Sequence, residues 1–175
     1  MSPATPLPPT PSLRRRMAAF VYEGVLLFGV LMAAGLAFAT LTQQRHALQN
    51  REAGMAFLFV VLGLYFVWFW SHSGQTLAMK TWLIRLVTVD GHPVSTRRAL
   101  ARYFSSYVWF LPPLAAASLI GLPRLGNGGV AVLLLLWIAG YAAATLLHPG
   151  RQFWHDVLCG TRIVGVAKPA VTGRG

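Results

Sequence analysis

A chain of 175 residues that is 55% hydrophobic and only 11% charged has less than half the roughly 25% charged residues of a soluble domain, and its mean hydropathy is positive. That composition excludes an ordinary soluble fold and indicates an integral membrane protein. The formal net charge of +11 does not indicate nucleic acid, because the basic residues flank apolar runs instead of forming a patch on a module of their own; contact with anionic lipid accounts for them.

In chain order, residues 1–13 are rich in proline and small residues, cannot bury a core, and are expected to be a disordered tail. Arg14, Arg15 and Arg16 precede an apolar run at about 17–41 that is broken by one charge, Glu23. A secretory signal has an apolar core of about 7 to 15 residues, so this longer run reads as a retained membrane helix. A second run, 53–71, has no charge and is long enough to cross the ~30 Å hydrocarbon layer. Tyr65, Trp68 and Trp70 near its end read as interfacial anchors. A third run, 103–123, contains Pro112-Pro113, which remove two backbone donors and should kink or break the helix. A fourth, 125–147, opens on Gly126-Asn127-Gly128-Gly129, read as the turn of an antiparallel hairpin. Residues 168–175 read as a flexible tail.

Between the second and third runs lies a polar stretch with a near copy at the C-terminus. Aligning Gln75 with Gln152 sets Arg85-Leu86-Val87-Thr88-Val89 over Arg162-Ile163-Val164-Gly165-Val166, an internal repeat whose unit is two apolar segments and a short motif. Each motif reads as a short interfacial helix followed by a strand. The strands, closed in the first copy by Asp90-Gly91, are expected to pair, because a lone strand leaves backbone groups unsatisfied. In the second copy Phe153, Trp154, Val157 and Leu158 share one apolar face of a helix, with Gln152, His155 and Asp156 on the other, the pattern of a helix lying in the interface. Ser95 reads as an N-cap. The expected architecture is thus an all-α membrane protein: four transmembrane helices as two parallel-repeat hairpins, short cytoplasmic helices, and a small two-stranded β element. With the N-terminus inside, all Lys and Arg except Arg45, Arg51 and Arg124 fall on the cytoplasmic side, which places both termini there.

Few residues offer chemistry. The carboxylates are Glu23, Glu52, Asp90 and Asp156. Glu23 lies about two turns inside the first span, where an ionisable group is a functional candidate; the structural alternative pairs it with Arg16, Arg102 or Arg162 and fixes packing. Asp156 beside His155 invites a general acid–base reading, but neighbours on a helix point in different directions, and a helix-capping or salt-bridging residue is the favoured expectation. The five histidines have no i, i+4 spacing, so no metal site is expected. Cys159 is the single cysteine and reads as a packing residue. Lys80, Arg85, Arg97, Arg98, Arg102 and Arg162 read as contacts to lipid phosphate or a partner. No phosphate loop or nucleophile elbow is present, and neither an enzyme nor a cofactor is expected.

Three pieces of the sequence together resemble the RDD family of bacterial membrane proteins. They are Arg15-Arg16-Met17-Ala18-Ala19-Phe20-Val21-Tyr22-Glu23, Gly74-Gln75-Thr76-Leu77-Ala78-Met79-Lys80 with Arg85-Leu86-Val87 and Asp90-Gly91, and His155-Asp156 with Gly160-Thr161-Arg162-Ile163-Val164. The resemblance makes 14–167 one RDD-like membrane domain of the inner membrane. It places the family arginine at Arg16, its first aspartate position at Glu23 and its second at Asp156. Ala78 stands where the family usually has glycine. The resemblance implies cation transport such as sodium/proton antiport, carried by Glu23 and helped by oligomerisation. The competing expectation is a non-catalytic scaffold that binds anionic lipid or a protein partner.

Overall fold

The computed structural model of this chain describes residues 8–43, 50–121 and 127–167. Residues 1–7 of the expected N-terminal tail (1–13), the expected tail at 168–175, and Gly126 of the expected hairpin turn lie outside the described residues.

Helix α1, Leu13–Leu41, begins where the Ser12 side chain accepts a hydrogen bond from Arg15 N at 3.4 Å, one of the orphan donors of a helix start. Its 29 residues span about 43 Å, more than the ~30 Å apolar layer. Val21, Val25, Phe28, Met32 and Leu36 are exposed along one stripe, whereas Arg16, Ala19 and Glu23 are buried. An apolar exterior over a polar interior suits lipid as solvent. Helix α2, Arg51–His72, runs next to it.

The third expected span is not one helix. Helix α4, Thr96–Ser106, is capped by Ser95 as expected, passes into a 3-10 turn at Tyr107–Trp109, and restarts as α5, Leu111–Leu119. Pro112 and Pro113 occupy the first turn of α5, where their missing N–H groups leave nothing unsatisfied; deeper in a helix they would break it. The nine residues of α5 cover about 14 Å and cannot cross alone. Among the described residues, three helices are long and apolar enough to cross: Leu13–Leu41, Arg51–His72 and Gly128–Leu147. The last comprises α6, Asn127–Ala144, and the 3-10 turn Thr145–Leu147; Gly128 and Gly129, read from sequence as part of a turn, are helical.

Helix α4 packs on α2 through Tyr103, whose hydroxyl donates to Phe59 O at 2.6 Å. Gly63 permits this approach, since a Cβ there would lie 3.1 Å from the Tyr103 ring. Trp137 Nε1 of α6 donates to Val108 O at 2.9 Å, satisfying a carbonyl in the broken segment.

The two motifs form a small layer at one end. Helix α3, Leu77–Thr81, leads to strand β1, Ile84–Thr88, and helix α7, Trp154–Leu158, leads to strand β2, Thr161–Gly165. The strands pair antiparallel as expected, with Leu86 opposite Ile163 at the centre of the ladder. Leu77 to Trp154, Ile84 to Thr161 and Thr88 to Gly165 are each separated by 77 positions. The left-handed residues Gly74 and Leu83 recur at that spacing as Arg151 and Gly160. Arg15 clamps the layer by donating to Trp82 O at 2.5 Å and Leu83 O at 2.7 Å. Pro9 O accepts from Gly165 N at 3.1 Å, so the described end of the proline-rich segment lies along β2.

Helix α7 divides its faces as expected of an interfacial helix except at Phe153, which is the N-cap and turns inward. Gln152, His155 and Asp156 are buried together with Phe153, while Trp154 and Leu158 are exposed at 44% and 81%. An amphipathic helix buries its apolar face when water surrounds it; here the interior supplies polar partners, and the apolar side chains face outward.

Candidate functional site

Where α1, α2, α4 and α7 converge they enclose a cavity of about 510 Å³. Its wall is mostly apolar, with Phe20, Leu62, Phe66 and Trp109 prominent, and it is interrupted by Arg16, Glu23, Arg102 and His155.

Arg16 and Glu23 reach the cavity together because they are seven positions apart on α1, almost two turns and hence one face. The Arg16 guanidinium lies over the Phe153 ring at 4.5 Å, a cation–π contact. Arg16 is 3% exposed, and its Nε and Nη1 have no hydrogen-bond partner among the described residues. The Glu23 carboxylate accepts from the Tyr65 hydroxyl at 2.7 Å and from the Thr76 hydroxyl. Thr76 is itself the N-cap of α3 and accepts from Met79 N at 3.3 Å. Among the described residues no Lys, Arg or His nitrogen lies within 4.0 Å of Glu23. The expected alternative, a pairing of Glu23 with Arg16, Arg102 or Arg162, therefore does not occur: hydroxyls from α2 and the α3 cap hold the carboxylate instead.

Asp156 is the carboxylate that takes an arginine. Arg102 Nε donates to Asp156 Oδ1 at 2.6 Å, with the two side chains 8% and 0% exposed. The Arg102 guanidinium also lies over Trp70 at 4.1 Å. Thr161 donates to Asp156 O at 3.1 Å, holding the start of β2 against α7, and among the described residues Asp156 Oδ2 has no partner. His155 lies beside the pair, with Nε2 3.5 Å from Asp156 Oδ1 and Nδ1 2.9 Å from the Tyr141 hydroxyl. That hydroxyl also accepts from His155 N at 3.1 Å; a neutral ring that keeps its proton on Nε2, toward Asp156, takes the hydroxyl proton at Nδ1. Burial pulls the His155 imidazolium down to a pKa of about 4; Asp156 opposes the shift and Arg102 adds to it, so the ring is neutral at neutral pH.

A model of the RDD family matches residues 10–160. The chain belongs to the RDD family. No curated protein and no solved structure matches it. In this RDD protein the family positions Arg16 and Glu23 line one cavity, and Asp156 sits behind its wall, holding Arg102 and touching His155.

The other charged residues singled out from sequence divide by exposure. Lys80, Arg85, Arg97 and Arg98 are exposed and Arg162 is half-buried. Arg102 is 7% exposed and serves the internal ion pair, so its expected role as a surface lipid contact is corrected. Trp70 and Tyr65, expected as interfacial anchors, also belong inside: Trp70 is 4% exposed beneath Arg102 and Tyr65 holds Glu23. Trp68 is 61% exposed, in keeping with an interfacial position. Sequence reasoning did not assign Thr76, Tyr65, Trp70 or Tyr141 to the site. Thr76 alone carried a signal, as a hydroxyl residue one position before a short helical run.

Proposed function

We propose that this RDD protein exchanges a small cation for protons across the bacterial inner membrane, with Glu23 as the carboxylate that alternates between the two. The observation that carries this reading is the Glu23 site: a buried carboxylate with no cationic partner, beside a cavity and gathered with the hydroxyl oxygens of Tyr65 and Thr76. The two carboxylate oxygens and two hydroxyls are hard donors of the kind that replace the water of an alkali cation, and a protonated carboxyl satisfies the same hydroxyls in the cation's absence.

The topology that accompanies the proposal has four passages, with α4, the 3-10 turn and α5 together forming the third and both termini in the cytoplasm. The uneven Lys and Arg distribution favours it. A parallel repeat is favoured by the constant spacing of 77 positions between α3–β1 and α7–β2. It is also favoured by the ladder, which sets Leu86 opposite its repeat counterpart Ile163, the register that a twofold axis through that pair requires.

The test is ion-driven pH change in liposomes holding the full chain, with sodium, potassium and lithium compared. Wild type is expected to exchange at least one of them, and Glu23→Gln is expected to lose exchange at least tenfold while melting normally. Flux that is the same with and without the carboxylate would remove Glu23 from the mechanism, and a folded wild type without flux would remove exchange itself. The scaffold reading is favoured by one observation, the exposure of Lys80, Arg85, Arg97 and Arg98, which suits anionic lipid or an acidic partner; it requires Glu23 for assembly only.

A further inference from the structure

We infer that the cavity is a binding site for one anionic lipid of the surrounding bilayer, its headgroup oxygens on Arg16 Nε and Nη1 and one acyl chain along the apolar wall. The inference stands whether or not the protein moves cations.

Arg16 supplies the first observation. It is 3% exposed and its Nε and Nη1 lack any partner among the described residues, although a guanidinium has five N–H donors and is always charged. Phe153 covers its face but leaves the donor edge free. The other groups do not answer it. Glu23 accepts from Tyr65 and Thr76, and Asp156 commits Oδ1 to Arg102. Two guanidiniums thus share one carboxylate: Asp156 is near Arg16 but accepts no hydrogen bond from it, and the free donors of Arg16 call for an anion.

The second observation is the wall. A cavity of about 510 Å³ falls within the roughly 300–1,000 Å³ of small-molecule sites and is far larger than an inorganic anion needs. Apart from the charged groups it is lined by side chains such as Phe20, Leu27, Leu62 and Phe66, which take hydrocarbon. It is also reachable from the side. Val21 and Phe110 line the cavity and yet are 63% and 40% exposed on the outer surface of the bundle. A chain entering between α1 and the turn at Phe110 would come from the bilayer, which selects a membrane lipid over a water-borne ligand.

The test uses the full chain, purified in detergent, stripped of lipid and offered equal phosphatidylglycerol and phosphatidylcholine, with retained lipid counted by native mass spectrometry. One phosphatidylglycerol should be retained with at least tenfold preference, and Arg16→Gln should abolish that preference. Because Arg16→Gln also removes the contact with Phe153, a second variant leaves Arg16 intact. Gly24 lines the cavity and has open space where a Cβ would stand, so Gly24→Phe should fill the site, keep the melting temperature and lose the lipid. Equal retention of both lipids, or retention unchanged in Gly24→Phe, would overturn the inference. So would a folded wild type that retains none. Inorganic phosphate that stabilises the protein as much as phosphatidylglycerol would overturn the acyl-chain half of it.

Discussion

Asp156→Asn isolates what the internal ion pair contributes. The substitution keeps the shape of the side chain and removes its charge, leaving Arg102 buried without an anion. At the 2.6 Å separation and an effective dielectric constant of about 20, the gross attraction is about 6 kcal/mol, most of it offset by the cost of taking both groups out of water. The measured quantity is the loss when one partner goes, about 3–5 kcal/mol for a buried pair. For a chain of this length that lowers the melting temperature by roughly 6–20 °C. Arg16 pushes the result toward the upper part of the range, since Asp156 is also its nearby negative charge. The assay is thermal unfolding in a mild detergent, followed by reaction of a thiol dye with Cys159, which is half-buried in the fold. The paired replacement Arg102→Met with Asp156→Leu serves as control, because removing both charges together should cost much less than removing one. If Asp156→Asn melts within about 1 kcal/mol of wild type, or if the paired replacement is as damaging as the single one, the pair is not held by mutual neutralisation.

Two further outcomes follow from neighbouring groups. His155 has a folded pKa of about 4 against about 6.5 unfolded, so the unfolded chain binds the extra proton. The stability it contributes is complete above pH 6.5 and declines by about 3 kcal/mol as pH falls toward 4, and His155→Gln should flatten that part of a melting-temperature profile. Gly74→Ala and Gly160→Ala separate strain from collision. Both sites have positive φ, but a Cβ at Gly74 would lie 2.6 Å from Leu86 O whereas at Gly160 it meets nothing. Gly160→Ala should cost about 1–2 kcal/mol and Gly74→Ala clearly more, seen as a lower melting temperature and loss of β1 protection in hydrogen exchange.

Features written in local pattern were readable from the sequence. The caps at Ser95 and the strands at Arg85 and Arg162 depend on neighbours within a few positions, and the break at Pro112-Pro113 depends only on missing donors. Pairing the strands needed one more step, the recognition that the two motifs are copies. What could not be read were meetings of residues far apart in the chain. Arg102 and Asp156 are 54 positions apart and Glu23 and Thr76 are 53 apart, and no periodicity links them. Trp70 was misplaced for another reason: an aromatic near a helix end satisfies both an interface and an internal guanidinium, and composition does not distinguish the two. In α7 the pattern divided the faces but put Phe153 with Trp154 and Leu158, whereas it is the buried N-cap, and a face read from pattern carries no direction of its own. Which side counts as inside depends on whether water or lipid lies beyond it.

The two-stranded ladder also sets a timetable for synthesis. β1 is complete by Thr88, but every residue it pairs with lies between Thr161 and Gly165, so the strand emerges from the ribosome more than seventy residues before its partner. At about 5–20 residues per second that leaves an unpaired strand for several seconds, while α4, α5 and α6 are still being made. Closing the ladder is therefore a late event that can occur only when the second half has entered the membrane in the right orientation. A chain whose later helices insert the wrong way would present β1 as an open edge, the kind of surface that invites pairing between molecules. The smallest element of the fold would then act as a check on its largest ones.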